Sequence, residues 1–497
     1  MHDTAAAWTM TTLAPSPIMV SLMQTATSFP FFVLALPAGA LADVVDRRRM
    51  LLATQAWMLA AATALAALAF AGAITPGRLL ALSFALGIGG AMNAPAWQAT
   101  TPELVPRTEL AAAVALGGIS VNVARAVGPA LGGTLVAVGG PGAVFLVNAA
   151  SFLGVLLVIA RWRRDRVPAT LPPERVLGAV RAGARYVRHA TELHAVLVRS
   201  AVFVLPASAV WALLPLVARQ SLGLTAAGYG LVLGGLGTGA ITGALVLPWL
   251  RARARIERLL AGATVLFAAT SVGLALVRTI APALVLTFGG GIGWMVMMSS
   301  LSVAAQEGVP SWVRARALAV SLLVIQGSLA CGALLWGIVA THTSLATALA
   351  AAGGVLVLGL AVAARRPLES VGGLDLTPSR HWEDPVVSGT LDLDEGPVLV
   401  TIDYRLDPAR ADDFVAVMAD LERTRRRDGA IEWGLYQDTA DPRRWLETFV
   451  VESWVEHLRQ HERVTMSDRV LQERVYAIIE GGEPRVSHLI ARDRRTT

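Results

Sequence analysis

Lysine is absent: all 42 basic residues are arginine. That suits a GC-rich bacterial coding sequence. Cysteine is nearly absent. Cys331 alone excludes an intrachain disulfide and leaves the redox compartment open. Charge is scarce, at 16% of residues against 55% hydrophobic, with a mean hydropathy of +0.57. Those values exclude a large soluble globule and suit a polytopic membrane protein. There is no glycine-rich phosphate loop, no Walker motif and no cluster of catalytic spacing. ATP-driven transport finds no support, and no catalytic residue, cofactor or metal is assigned. No basic segment precedes the first apolar run, so no cleavable signal peptide is visible. The net charge of +6 is no nucleic-acid signal, because the arginines flank apolar runs.

Long apolar runs are what the chain has. A span needs about 20 residues. Eleven runs qualify: 17–42, 50–73, 78–97, 110–138, 143–160, 195–217, 226–250, 259–277, 282–304, 315–340 and 344–364. Residues 1–13 look helical but are too short to cross a bilayer.

The first inter-span loop reads Gly39-Ala-Leu-Ala-Asp43-Val-Val-Asp46-Arg47-Arg48-Arg49-Met50. Small residues at Gly39, Ala40 and Ala42 permit close helix approach, and the arginines mark a cytoplasmic side. The pattern resembles the loop between helices 2 and 3 of major facilitator superfamily transporters, with Asp46 where that pattern has a second glycine. The resemblance implies gating by Gly39, Asp43, Arg47 and Arg49. Asp43 would meet the N-terminus of the eleventh helix near Arg314 and Arg316, where the helix dipole favours a carboxylate. The second copy has Leu247 at the acid's position, so the gate is expected to be asymmetric.

A shift of 204 residues aligns the chain with itself without gaps: Gly39 with Gly243, Arg47 and Arg49 with Arg251 and Arg253, Glu103-Leu-Val-Pro106 with Glu307-Gly-Val-Pro310. A repeat after an even number of spans is the parallel six-plus-six arrangement. The same offset places Met1 inside the first helix, so the native start is expected upstream. With the Arg47–Arg49 loop inside, cytoplasmic segments hold 21 arginines and the opposite loops three, Arg78, Arg219 and Arg278. The C-terminus is then cytoplasmic. Between the halves, Glu174–Leu193 reads as a basic amphipathic helix, either lying on anionic lipid or solvated.

Ionisable groups inside spans are costly and therefore functional candidates. Arg125 lies deep in its span, just before Gly128-Pro129-Ala-Leu-Gly132-Gly133. This resembles the helix-5 signature of drug/proton antiporters. The resemblance makes Gly128, Pro129, Gly132 and Gly133 a packing motif and Arg125 a cavity residue. Asp3 is its expected partner and a proton carrier; Asn93, Gln98, Asn122 and Asn148 are polar candidates for the pathway or for interhelical bonding.

Beyond Arg366 the composition changes. Residues 367–396 read as a polar linker. Strands follow at 398–405, 430–436, 445–452 and 485–491, with helices at 407–426, 453–459 and 467–479. The order β-α-β-β-α-β is ferredoxin-like. Glu452-Ser-Trp454 with His457 and His461 resembles antibiotic-biosynthesis-monooxygenase domains. Two histidines without a third ligand are weak metal evidence, and both, with Trp433, are expected on a solvated surface.

The expected architecture is an all-α polytopic membrane protein, a six-plus-six bundle with a truncated first helix, followed by a small α+β domain. Its parts are 1–160, 161–194, 195–366, 367–396 and 397–492. Within the major facilitator superfamily the chain resembles the enterobactin-exporter-like branch through Ala5–Trp8, Ser16-Pro17 and Leu36–Gly39. This implies a proton-coupled exporter of a siderophore or drug-like molecule in the bacterial inner membrane. Partners are then the substrate, protons and the lipid bilayer, not nucleic acid, with dimerisation or regulation through the C-terminal domain. The alternatives are a membrane-anchored cofactor-independent monooxygenase and a non-transporting scaffold.

Overall fold

The computed structural model describes residues 1–105, 109–162, 185, 188, 190–310, 312–368, 375–379, 381–382, 385, 387 and 391–491. The amphipathic segment read at Glu174–Leu193 falls largely outside them. The chain divides into two compact units. Unit 1 is Met1–Val176, Ala195–Ala304 and Leu318–Glu369; unit 2 is Leu177–His194, Ala305–Ala317 and Ser370–Thr497.

Unit 1 is helical: α1 (His2–Leu13), α2 (Pro17–Val44), α3 (Arg47–Phe70), α4 (Pro76–Leu104), α5 (Leu110–Arg161), α6 (Thr191–Leu216), α7 (Ala226–Arg253), α8 (Ile256–Leu276), α9 (Ile280–Glu307), α10 (Arg314–His342) and α11 (Leu345–Ala364). Among the described residues ten helices are long and apolar enough to cross a membrane. The eleven sequence runs become ten because α5 merges two of them. Gly140 breaks its helical backbone at φ 72°, a conformation only glycine adopts cheaply, and Pro141 starts the second arm.

Local chemistry sets the other boundaries. Pro17 and Pro76 open their helices, where a missing N–H costs nothing. Thr75, Thr225 and Ser344 cap theirs by accepting from the backbone three residues on. Asp46, the apparent departure from the loop pattern, does the same: its carboxylate accepts from the Arg49 N–H at 3.0 Å and starts α3. Its φ of −56° needs no glycine.

The helix positions correct the gapless repeat. Pro17 and Ala226 open corresponding helices 209 residues apart, whereas Pro76 and Ile280 are 204 apart. The second copy lost five residues around the loop that follows its third helix, α8 being 21 residues long against 24 for α3. Arg47 and Arg49 therefore sit in the first turn of α3, while Arg251 and Arg253 close α7.

Unit 2 is built on a four-stranded antiparallel sheet: β1 (Val398–Arg405), β2 (Glu432–Gln437), β3 (Arg444–Val451) and β4 (Arg485–Ile490), in the order β2-β3-β1-β4. With α12 (Ala411–Asp428), α13 (Trp454–Arg463) and α14 (Met466–Tyr476) this is the ferredoxin-like order read from the sequence. β1 alternates buried and partly buried residues, and Val398, Val400, Ile402 and Tyr404 pack on Phe414, Met418 and Leu421 of α12. The segment read as a linker is not free of the domain. Ser379 N–H donates to Val464 O at 2.9 Å, and Leu393 and Glu395 carbonyls accept from Val455 and Trp454 at 2.8 Å.

Candidate functional site

Within unit 1, helices α1–α5 meet α6–α11 along two seams. In the first, α2 runs beside α10. The Ile18 N–H donates to Thr341 Oγ1 at 3.1 Å, Thr25 Oγ1 donates to Ala330 O at 3.1 Å, Gly337 sits on Ser21, and Gly327 faces Phe32. In the second, the first arm of α5 runs beside α7. A Cβ at Gly230 would lie 2.6 Å from Pro129 O, one at Gly237 would lie 2.5 Å from Ala126 Cα, and Gly133 lies against Ala226 and Gly230. No larger residue fits, so glycine here permits the backbone contact that binds helices in lipid. The Gly-Pro-x-x-Gly-Gly motif is split between two neighbours: Pro129 and Gly133 face α7, whereas Gly128 and Gly132 face Met1 at the start of α1.

These contacts all lie between the middle of the helices and the end remote from the Arg47–Arg49 loop. At that end the chain carries a latch. α6 ends in a π-helical turn, Val217–Ser221, a form that recurs at functional sites. It turns Arg219 and Gln220 onto the other helix set. Arg219 Nη1 donates to Thr11 Oγ1 at 3.1 Å and its guanidinium lies 5.7 Å from the Trp8 ring centroid. Gln220 Nε2 donates to Pro15 O at 3.3 Å, and Trp8 stacks on Tyr229 at 5.7 Å. Sequence reading missed this group. Arg219 was visible only as one of three arginines on the sparse side.

The sequence candidates scatter. Arg125 is exposed, next to Ala126 on the α7 seam. Asp3 is also exposed, and among the described residues no ion pair joins the two. Asn93 acts as interhelical glue: its Oδ1 accepts from Thr54 Oγ1 at 3.1 Å and Gln55 Nε2 at 3.3 Å across α3 and α4. Gln98 is exposed and Asn148 half-buried. The side chains of Asp43, Asn122 and Arg316 lie outside the described residues. At Gly39 a Cβ would meet nothing within 4 Å among the described residues, so the close helix approach expected there is not seen among them. Within the loop, Arg48 donates to the carbonyls of Ile159 and Ala160 at 3.2 and 2.6 Å and caps the end of α5.

The corresponding corner of the second helix set is held by an ion pair between a buried arginine and a half-buried glutamate. Arg199, 4% exposed, donates to Glu257 at 2.7 Å and to the carbonyls of Ala363 and Arg366 at 2.7 and 2.8 Å. The other Glu257 oxygen accepts from Leu368 N–H at 2.7 Å. The pair borders an apolar cavity of about 360 Å³ lined by Phe203, Leu260, Met297 and Leu356.

Unit 2 holds two further polar groups. Glu447, wholly buried on β3, accepts from Tyr404 at 2.8 Å and from Arg425 and Trp433 at 3.0 Å each. Burial, then the Glu447 charge, pushes the Tyr404 hydroxyl well above its usual range. The second group is histidine-rich. His457 is 1% exposed, against the solvated surface expected for it, and burial followed by the neighbouring His461 and His488 pushes it down to about 3. Nearby, Arg427 forks onto Asp428 at 2.8 and 2.9 Å and reaches Asp468 at 2.7 Å. Burial outweighs that cation and raises Asp428 to about 6.

Two glycine seams and a polar contact group at one end join two repeated helix sets, and the comparisons place this bundle among known transporters. A transmembrane secretion effector family model matches residues 1–496. The chain belongs to this family of major facilitator transporters. It is 27% identical over 154 residues to the staphyloferrin A transporter of Staphylococcus aureus, and 27% over 183 residues to an uncharacterised transporter, YfiS, of Bacillus subtilis. Those matches cover 31% and 35% of this chain, and only 39% and 42% of the relatives. Solved structures share the fold. An inward-facing, occupied bacterial homologue of the human lysosomal transporter Spinster gives a TM-score of 0.58 at 14% identity, over 74% of this chain and 95% of that one. The nucleoside transporter NupG gives 0.60 at 12% identity, over 73% and 94%. By family and fold this chain is thus a membrane transporter of the major facilitator type.

Proposed function

We propose that the chain exports a small organic molecule, siderophore-like or drug-like, by proton antiport with alternating access. One observation carries the reading: the described hydrogen bonds and glycine contacts between the two helix sets end near mid-helix and finish in a single latch. Such contacts can be released at one end while a rigid six-helix set rocks against the other. The arginine bias argues that the Arg47–Arg49 end is cytoplasmic and that the C-terminus lies inside. The latch of Trp8, Thr11, Arg219 and Gln220 is then the outer gate. Gly39, Asp43, Arg47 and Arg49 form the inner gate, with Asp43 seeking the dipole at the start of α10 in the opposite state. Gly39 is open in the conformation described, which suits a contact made only when the inner side closes. Arg125 faces the pathway and Asp3 carries the coupling proton, with Gln98, Asn122 and Asn148 as polar lining. The siderophore class is supported by the staphyloferrin A relative. The inner-membrane location follows from this topology, and the ferredoxin-like domain serves regulation or dimerisation.

The test is transport by the purified chain in proteoliposomes. Labelled siderophores and drug-like cations would be followed under an imposed proton gradient. The expected result is gradient-driven movement that a protonophore collapses and Arg125→Ala abolishes. Movement indifferent to the gradient, or an active Arg125→Ala variant, would overturn the mechanism.

A further inference from the structure

Unit 2 brings together three imidazoles that lie far apart in sequence. His457 and His461 are one turn apart on α13, and His488 comes from β4, whose register places it opposite Val400 of β1. The His457 ring lies 4.9 Å from His461 and 4.7 Å from His488, centroid to centroid. One nitrogen from each ring lies within 4.8 Å of the others. A structural core would normally satisfy such groups. Here both ring nitrogens of His457 are buried and make no hydrogen bond of good geometry among the described residues, the Gln460 side chain being close enough only to interact weakly with the ring. Gln460, wholly buried on the same helix, also leaves both amide atoms unpartnered. Buried polar atoms without good partners are costly, so a cluster of them calls for a ligand.

We propose that His457, His461 and His488 form a binding site for a borderline divalent transition metal ion, Zn²⁺, Cu²⁺ or Ni²⁺ in kind. Three imidazoles without a carboxylate or thiolate suit these ions and not Ca²⁺ or Mg²⁺. Metal–nitrogen bonds of about 2.0–2.1 Å in a tetrahedral array put ligand nitrogens about 3.4 Å apart. The rings therefore close by at most about 1.4 Å, a side-chain adjustment. The nearby Arg425 does not present a bare cation, because Glu447 pairs with it at 3.0 Å. The aromatic shell of Trp382, 5.1 Å from His461, and Trp454, 5.4 Å from His457, limits water access. The helix that supplies two ligands also holds other parts of unit 2. Glu456 pairs with Arg185 at 3.2 Å, and Arg463 lies 4.5 Å from the Trp312 ring. Arg185 and Trp312 belong to segments that run directly into α6 and α10, so the site is best measured in the full chain.

The full-length protein would be purified in detergent without a histidine tag, stripped of metal and titrated with Zn²⁺ by calorimetry, and with Co²⁺ by visible absorption. One ion per chain with micromolar or tighter affinity is expected, with a nitrogen-ligand Co²⁺ spectrum. His461→Ala and His488→Ala, neither wholly buried, should each weaken binding at least about tenfold, while His342→Ala leaves it unchanged. His457→Asn serves as a third variant, with circular dichroism checking that the fold survives. Absence of one-to-one binding in the wild type would overturn the assignment. So would affinity that stays unchanged in both folded alanine variants.

Discussion

Single residues in this molecule carry very different burdens, and three contrasts test that. Arg199 is the buried cation of its helix set, and removing it strands Glu257 against two helix ends. Arg199→Ala should destabilise unit 1 by about 1–3 kcal/mol, read as a lowered melting temperature in detergent. Arg278, hydrogen-bonded only to nearby carbonyls among the described residues, gives a control that should change little. Glycines divide the same way. Gly39→Ala should leave thermal stability unchanged, whereas Gly237→Ala must push α7 off Ala126 and lower it. Asp428 sets a pH dependence. Its folded value of about 6 exceeds the ordinary 3.8, so between those values the folded state binds more protons than the unfolded one. The contribution of Asp428 to unit 2 should fall by up to about 3 kcal/mol as pH rises from about 4 to about 6, against an opposing gain from His457, which burial holds neutral at about 3. Urea midpoints read by tryptophan fluorescence should show it as a difference: the gap between wild type and Asp428→Asn should shrink in favour of the variant as pH rises from 4 to 6.

At the scale of elements, much was legible. Runs of about 20 apolar residues gave the spans, because lipid demands that length. The period-two pattern of Val398–Arg405 gave β1 to the residue. The departures have local causes. Asp46 looked like a defect in a glycine pattern and proved a helix cap. Gly140 hid a break that only its positive φ reveals. The latch was not legible, because nothing in the order of Val217–Ser221 announces a π turn, and its partners Trp8 and Thr11 are some 200 residues away. The third histidine was invisible for a similar reason: β4 pairing, not sequence spacing, brings His488 to α13. The seams can be tested directly. With Cys331→Ser as background, cysteines at Ile18 and Thr341 should crosslink readily, given 3.1 Å between backbone N and hydroxyl. Transport should stop when the bond forms and return on reduction. Gly133→Val should wedge the other seam and lower transport at least about tenfold, since packing is the main force between helices in lipid.

The whole molecule reads as a duplicated helix set whose copies have drifted. The 204-residue offset holds for the later helices and becomes 209 for the earlier ones, so a gapless comparison aligns Arg47 with Arg251, whereas the helix starts pair it with Ile256. What survived is a structural rhyme: Arg48 ties the start of α3 to the end of α5, and Glu257 ties the start of α8 to Leu368 beyond α11. Rigid sets of this kind move as bodies about their seams. The most direct test of alternating access measures distances at both ends of the bundle by electron–electron resonance. One pair of spin labels would sit at Thr12 and Thr343, the other at Val45 and Arg255, all exposed, with Cys331 replaced. Two distance populations are expected at each end, shifting in opposite directions as pH is stepped from 8 to 5. A single unmoving distance at both ends would contradict alternating access and leave a static membrane scaffold.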